Sequence, residues 1–176
     1  MIEKMMERRS VRHYTNEKVC KTDVEEILKC GIYSPNALNA QGWEIRVLTN
    51  DAKIDEARKL FKKAMPERAE EPAISHAFPN APVYIFIAND TASPYSEKDC
   101  GILAATITYA AWAKGLGTLI MGSTANYYNG IPEFKSYLEE LNFSDGYKLQ
   151  LVIALGYPAE TPEVKPRDFS KICWIE

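Results

Sequence analysis

Histidine is nearly absent from this sequence: two of the 176 residues, His13 and His76, carry an imidazole, and they lie far apart. Four cysteines, Cys20, Cys30, Cys100 and Cys173, include no C-x-x-C pair. Such a set builds no zinc cage, and no metal is expected. The thiols read as structural or incidental groups. A cysteine nucleophile stays open only if folding brings His13 or His76 to one of them as a base.

Other absences remove whole chemistries. No G-x-x-x-x-G-K-[ST] and no G-x-S-x-G occurs, so P-loop phosphoryl transfer and nucleophile-elbow hydrolysis lack their usual marks. Gly115, Gly117 and Gly122 give G-x-G-x-x-x-x-G after a helical stretch, whereas a dinucleotide fingerprint needs tighter spacing after a strand. A net charge of −3 leaves no broad basic face for nucleic acid. The start, MIEKMMERRS, breaks its apolar residues with charge and has no secretory h-region, so a cytoplasmic protein is expected. No repeat, low-complexity tract or dividing linker occurs, and residues 1–176 are expected to form one domain.

What is present is the composition of a soluble globular protein, 46% hydrophobic and 26% charged. Ile2, Met5, Met6 and Arg9 at helical intervals predict a short amphipathic first helix. Thr22 with Glu25 three residues on predicts a capped second helix, stopped by Gly31. Residues 44–49 read as a strand with Ile45 and Val47 on one face. Asp51 is placed as the cap of a helix reaching Ala64. The apolar run APVYIFIAN predicts a strand covered on both faces.

The stretch DCGILAATITYAAWAKGLG holds no charge between Asp99 and Lys114. It predicts a helix buried on all sides and ended by Gly115, too short and too rich in threonine and small residues to span a bilayer. TLIMG and YKLQLVIALGYP follow as strands, with a helix begun by Pro132 between them. Helices alternate with few strands, which favours an α+β sandwich. Residues 67–79 are the place to look for a lid.

Against this acidic background ERRSVRHY stands out. Arg8, Arg9, Ser10 and Arg12 offer forked guanidinium donors and a hydroxyl, which match phosphate oxygens; a solvated helix end explains them equally well on their own. Lys165 and Arg167, around Pro166, form a second basic pair that matters only if both termini meet at one anion.

Taken in order, RRSVRHY, SPNALNAQGWEI, DCGILAATITYAAWAKGLGTLIMG, and ALGYP followed by KPR resemble the FMN-dependent nitroreductase family across nearly the whole chain. The resemblance implies an α+β fold, a central and mostly antiparallel sheet flanked by helices, in an intertwined homodimer with FMN at the subunit interface. It implies that Arg8, Arg9, Ser10, Lys165 and Arg167 gather around the FMN phosphate and ribityl chain, and that Arg12 lies by the pyrimidine edge of the flavin. Pro35, Asn36, Ala37 and Asn39 would reach the flavin from the partner chain. Asn36 stands where serine is common, and Gly42 where proline usually precedes the tryptophan. Met121 and Gly122 would pass close to flavin N5. The implied activity is two-stroke hydride transfer from NADH or NADPH to a small acceptor such as a nitroaromatic or a quinone, with no side chain as base or nucleophile and Arg12 acting electrostatically. The chain is short for the family, which suggests an open site. A flavin-binding protein that stores or senses FMN without turnover would carry the same binding residues, and a dimerisation domain without cofactor is the third reading.

Overall fold

The computed structural model describes residues 2–66 and 78–176. Residues 67–77, which include His76 and most of the expected lid, lie outside the described residues.

Among the described residues four strands make one sheet: β1 (Trp43–Leu48), β2 (Val83–Asp90), β3 (Gly117–Met121) and β4 (Tyr147–Gly156). Their order is β1-β2-β4-β3, and every neighbouring pair is antiparallel. Alternation along β2 explains why it is apolar throughout. Tyr84 and Phe86 point into one core with Phe61, Tyr128 and Phe134, while Val83, Ile85 and Ile87 point into the other with Leu103 and Ile107. Seven of its eight residues are buried, as the uninterrupted apolar run predicts. The result is a sheet covered by helices on both faces, the expected α+β sandwich.

The first helix, α1 (Ile2–Glu7), is short. The second, α2 (Lys21–Ile32), starts at Cys20 and has no side-chain cap. Thr22 therefore lies inside the first turn, and its hydroxyl sits 2.9 Å from the Cys20 thiol. Gly31 does not stop this helix but lies within it. A Cβ there would come within 2.6 Å of Ile107 Cγ1, so glycine is present for close packing against the next long helix.

Helix α3 (Asp51–Ala64) keeps the predicted bounds, but Asn50 caps it by accepting from Lys53 N at 3.1 Å. The long helix α4 (Ser96–Ala113) presses Cys100, Leu103, Ala104, Ile107 and Ala111 onto the sheet. Gly115 ends it at φ +79°, the left-handed turn that glycine accepts freely.

Its own chain covers α4 on one face: Gly101, Ile102 and Ala113 are exposed and Ala105, Thr106 and Tyr109 are half-buried, while the expected burial of the other face is against a partner subunit. Among the described residues no helix is long and apolar enough to cross a membrane.

Helix α5 (Gly122–Gly130), which follows β3 directly, had no sequence signal. The helix expected from Pro132 is a 3-10 turn, Pro132–Phe134, leading into α6 (Lys135–Glu140).

The last residue of β4 fixes the fit of the N-terminal segment. A Cβ on Gly156 would lie 2.6 Å from Pro82 Cδ and 3.0 Å from Tyr14 Cδ1. Gly156→Ala is expected to destabilise the fold by about 1–3 kcal/mol, as overpacking does, since the proline ring cannot yield. A urea midpoint equal to wild type would refute the close fit.

Candidate functional site

Where α1 ends, the chain crosses to the edge of the sheet. Ser10 bridges to Thr118 of β3, Val11 N donates to Thr118 O at 2.9 Å, and Val11 is fully buried. Tyr14 is the next inward anchor, its hydroxyl donating to Val11 O at 2.7 Å. Burial pushes its phenol well above the usual range. With Val11 and Tyr14 turned inward, Arg8, Arg9, Ser10 and Arg12 are left half-buried along the edge.

The other end of the chain joins here. Thr15 N donates to Tyr157 O and Ala159 N to His13 O, both at 2.9 Å. The Glu160 carboxylate accepts from Arg12 N at 2.5 Å and from His13 N at 3.2 Å. Both termini thus meet beside the basic cluster, and Glu160, which the sequence reading passed over, is the clasp.

Within the cluster Arg9 Nη1 donates to the carbonyls of Met6, at 2.7 Å, and Arg8, at 2.9 Å. Its Nε is buried without an acceptor among the described residues. Arg12 Nη1 donates to Ser10 O at 3.3 Å.

Lys165 and Arg167 follow a few residues beyond the clasp, on an exposed tail. Arg167 Nη1 donates to the carbonyls of Lys165, at 2.9 Å, and Pro166, at 3.4 Å. The tail leaves the body next to the cluster, but its Arg167 guanidinium engages its own backbone. Its apolar side chains are bare: Phe169 is 76% exposed, Trp174 86% and Ile175 96%.

Pro35, Asn36, Ala37 and Asn39 belong to a loop with an uncommon backbone. Leu38, Asn39 and Gln41 have φ of 55°, 53° and 49°, a left-handed cluster that costs non-glycine residues about 1–2 kcal/mol each. Besides its internal turn bonds, such as Ala40 N to Ala37 O at 2.9 Å, three further contacts hold it. Ala37 N donates to both carboxylate oxygens of Asp99 at 3.2 Å, Gln41 N donates to Asn36 Oδ1 at 2.9 Å, and Asp90 N donates to Gly42 O at 3.0 Å. Asn36 thus has a bond of its own to make within the loop. Leu38, at the tip, is 92% exposed.

The sheet register separates these parts. The basic cluster lies beside Thr118, level with Leu155 and Val83, at one end of the outermost strand β3. The strained loop joins Asp90, at the opposite end of β2 and beside the start of β1. Val83 and Asp90 are about 23 Å apart at the usual rise of a strand. One chain therefore does not bring residues 8–12 and 35–39 together. Met121 and Gly122 lie between these levels, with Met121 paired to Val152 in the middle of β4. Met121 is about 10 Å along β3 from Thr118. Met121 is buried, and Gly122 opens α5 with only Leu151 near its Cα hydrogen direction, at 3.8 Å.

Such a corner can hold an elongated anion, with guanidinium donors at one end and a strand terminus about 10 Å away. Among the described residues no group of three or more histidine, cysteine, aspartate or glutamate side chains is placed to hold a metal ion.

A family model described as the nitroreductase family matches residues 5–157. A protein of Archaeoglobus fulgidus, provisionally named an NADH dehydrogenase/NAD(P)H nitroreductase, is 27% identical over 166 residues, covering 92% of this chain and 87% of its own. An iodotyrosine deiodinase of Thermotoga neapolitana is 21% identical over 175 residues, covering 92% and 90%. A nitroreductase of Desulfitobacterium hafniense solved with bound FMN superposes with a TM-score of 0.88 at 24% identity, covering 99% of this chain and 97% of that one.

Proposed function

This chain belongs to the nitroreductase family, and from that premise we propose that it is a cytoplasmic FMN-dependent NAD(P)H oxidoreductase, one FMN-binding domain working as a homodimer. The observation that carries the reading is the basic edge of residues 8–12, clasped to the C-terminal tail and holding a buried Arg9 Nε–H with no acceptor among the described residues. A buried donor of that kind is costly unless a ligand accepts from it. Guanidinium forks and the Ser10 hydroxyl are the chemistry that a phosphate monoester requires. On these grounds the residues present fit FMN.

Arg8, Arg9 and Ser10 hold the phosphate in this reading, and Lys165 and Arg167 close over it once Arg167 exchanges its backbone carbonyls for phosphate oxygens. Met121 and Gly122 line the far end, where the absence of a side chain on Gly122 leaves room for a flat ring. FMN, when bound, supplies a ring nitrogen, N5, that takes a hydride from NADH or NADPH and hands it to a small acceptor such as a nitroaromatic or a quinone. The protein's part is placement and electrostatics: Arg12 faces the negative charge that reduction builds at the pyrimidine edge.

Two copies are needed because Pro35, Asn36, Ala37 and Asn39 sit at the far corner of the sheet from their own basic cluster. A second subunit brings its loop to the first subunit's flavin. It also covers the open face of α4 and the bare apolar tail, features typical of a surface awaiting a partner.

The test begins with the visible spectrum of the purified protein. A bound flavin is expected, bleached by NADH or NADPH without oxygen and recoloured by a nitroaromatic or a quinone. A colourless protein that ignores added FMN defeats the proposal, and a yellow one that neither nucleotide bleaches leaves flavin binding without turnover. Arg12→Ala is expected to lower the potential of the bound flavin by about 30 mV, the equivalent of about 1.4 kcal/mol for two electrons. An unchanged potential removes the role given to Arg12.

A further inference from the structure

Asp99 is an acid in an unusual place. It lies in the first turn of α4, is 5% exposed, and aims both carboxylate oxygens at one backbone N–H, that of Ala37, at 3.2 Å. Burying a carboxylate is unfavourable, and a neutral acceptor would satisfy a single N–H. The start of a helix favours the charge, but that explains why aspartate is tolerated, not why it reaches across to another segment.

What it reaches explains more. Ala37 precedes Leu38, Asn39 and Gln41, three non-glycine residues in the left-handed region within four positions. A loop so biased against its own backbone preferences keeps its shape only where the surroundings over-determine it. Two of its bonds are local or neutral: Asn36 Oδ1 to Gln41 N, and Gly42 O to Asp90 N. The Asp99 bond alone is charge-assisted and tethers the loop to the rigid long helix, and such bonds are about twice as strong as neutral ones.

We infer that Asp99 is a positioning residue for the cofactor site: through its charged bond to Ala37 N it holds residues 35–39 in the strained shape that the second subunit's flavin meets. This rests on the function proposed above. Asp99 touches neither cofactor nor substrate in this account; it acts through the backbone of the loop.

The test compares wild type with Asp99→Ala and Asp99→Asn by hydrogen exchange of the cofactor-free protein and by FMN dissociation constant. In Asp99→Ala, exchange in a peptide covering residues 35–42 is expected to quicken about tenfold while β2 keeps its wild-type protection, and FMN binding to weaken about tenfold. Asp99→Asn, which keeps one acceptor without the charge, is expected to fall between, about three- to fivefold on both readouts. Wild-type exchange at 35–42 in Asp99→Ala overturns the inference, as does faster exchange spread evenly through β2. Faster loop exchange with unchanged FMN affinity overturns it too. If Asp99→Ala does not fold, wild-type behaviour of Asp99→Asn on both readouts overturns it. A wild-type protein that takes up no FMN defeats the function itself and this inference with it, whereas normal wild-type uptake with equal uptake by the variants defeats this inference alone.

Discussion

Passed over a desalting column without added flavin, the Arg8→Ala and Arg167→Ala variants are expected to emerge largely colourless while wild type stays yellow. In the proposed site each substitution removes a charged donor from the FMN phosphate, and such a bond contributes about 1.5–3 kcal/mol. The dissociation constant should rise about ten- to 150-fold in either variant. The double variant is more telling. Arg8 is half-buried at the end of α1, and Arg167 lies on the exposed tail with its guanidinium on its own carbonyls. Two residues that grip one phosphate share a partner, so their losses should not add, and the double-mutant cycle should leave a coupling of about 0.5 kcal/mol or more. Strict additivity would place the two arginines at separate sites. Arg46 is a suitable control: it is engaged by Glu44, by the carbonyls of Leu141 and Asn142, and by the Phe143 ring. Arg46→Ala should leave FMN affinity unchanged.

The basic edge was legible because charge shows in any window of sequence, and β2 was legible because a strand covered on both faces must be apolar at every position. The signals that failed were those set by distant contacts. Gly31 looks like a helix stop, yet it serves as a landing place for Leu103 and Ile107, and no local rule reveals which helix will approach. The segment GSTANYYNG lacks an apolar stripe and carries glycine at both ends. It becomes helical because Thr124, Ala125 and Tyr128 are buried against the sheet, a case of packing overriding propensity. Asp99 read as one more charge at the start of a helix, since its partner Ala37 is 62 positions away. The separation of the basic edge from the strained loop is likewise a property of strand order and register, which motifs quoted in sequence order do not contain.

The same buried interior makes alkaline pH the condition under which the protein is expected to unfold. Burial pushes the Tyr84 phenol up to about 12 and the Cys100 thiol up to about 12. Burial also raises Tyr14, Tyr128 and Tyr137, with the Tyr84 phenol and Glu160 adding to the effect at Tyr14. In each case the folded state holds its proton more tightly than the unfolded chain does. Below about pH 9 the phenols are protonated in both states and their stabilisation is complete. The Cys100 thiol, which ionises at about 8.5 in an unfolded chain, begins to cost stability from about pH 8. Above pH 10 the unfolded phenols ionise first, and stability falls by about 1.4 kcal/mol per pH unit for each such group. Four such phenols lose their stabilisation over the same range, and the folded state of an ordinary domain has little margin to spare. Tyrosinate absorbance and loss of far-ultraviolet dichroism should therefore rise together between pH 10 and 12. Tyrosines that titrate near pH 10 with the dichroism intact would contradict this. Tyr128→Phe should shift the transition to higher pH at no cost at neutral pH, because the Tyr128 hydroxyl is buried without a partner among the described residues. Tyr14→Phe should behave differently. Its hydroxyl holds Val11 O beneath the basic edge, so removing it loosens residues 8–12 at neutral pH and should weaken FMN binding where Tyr128→Phe does not.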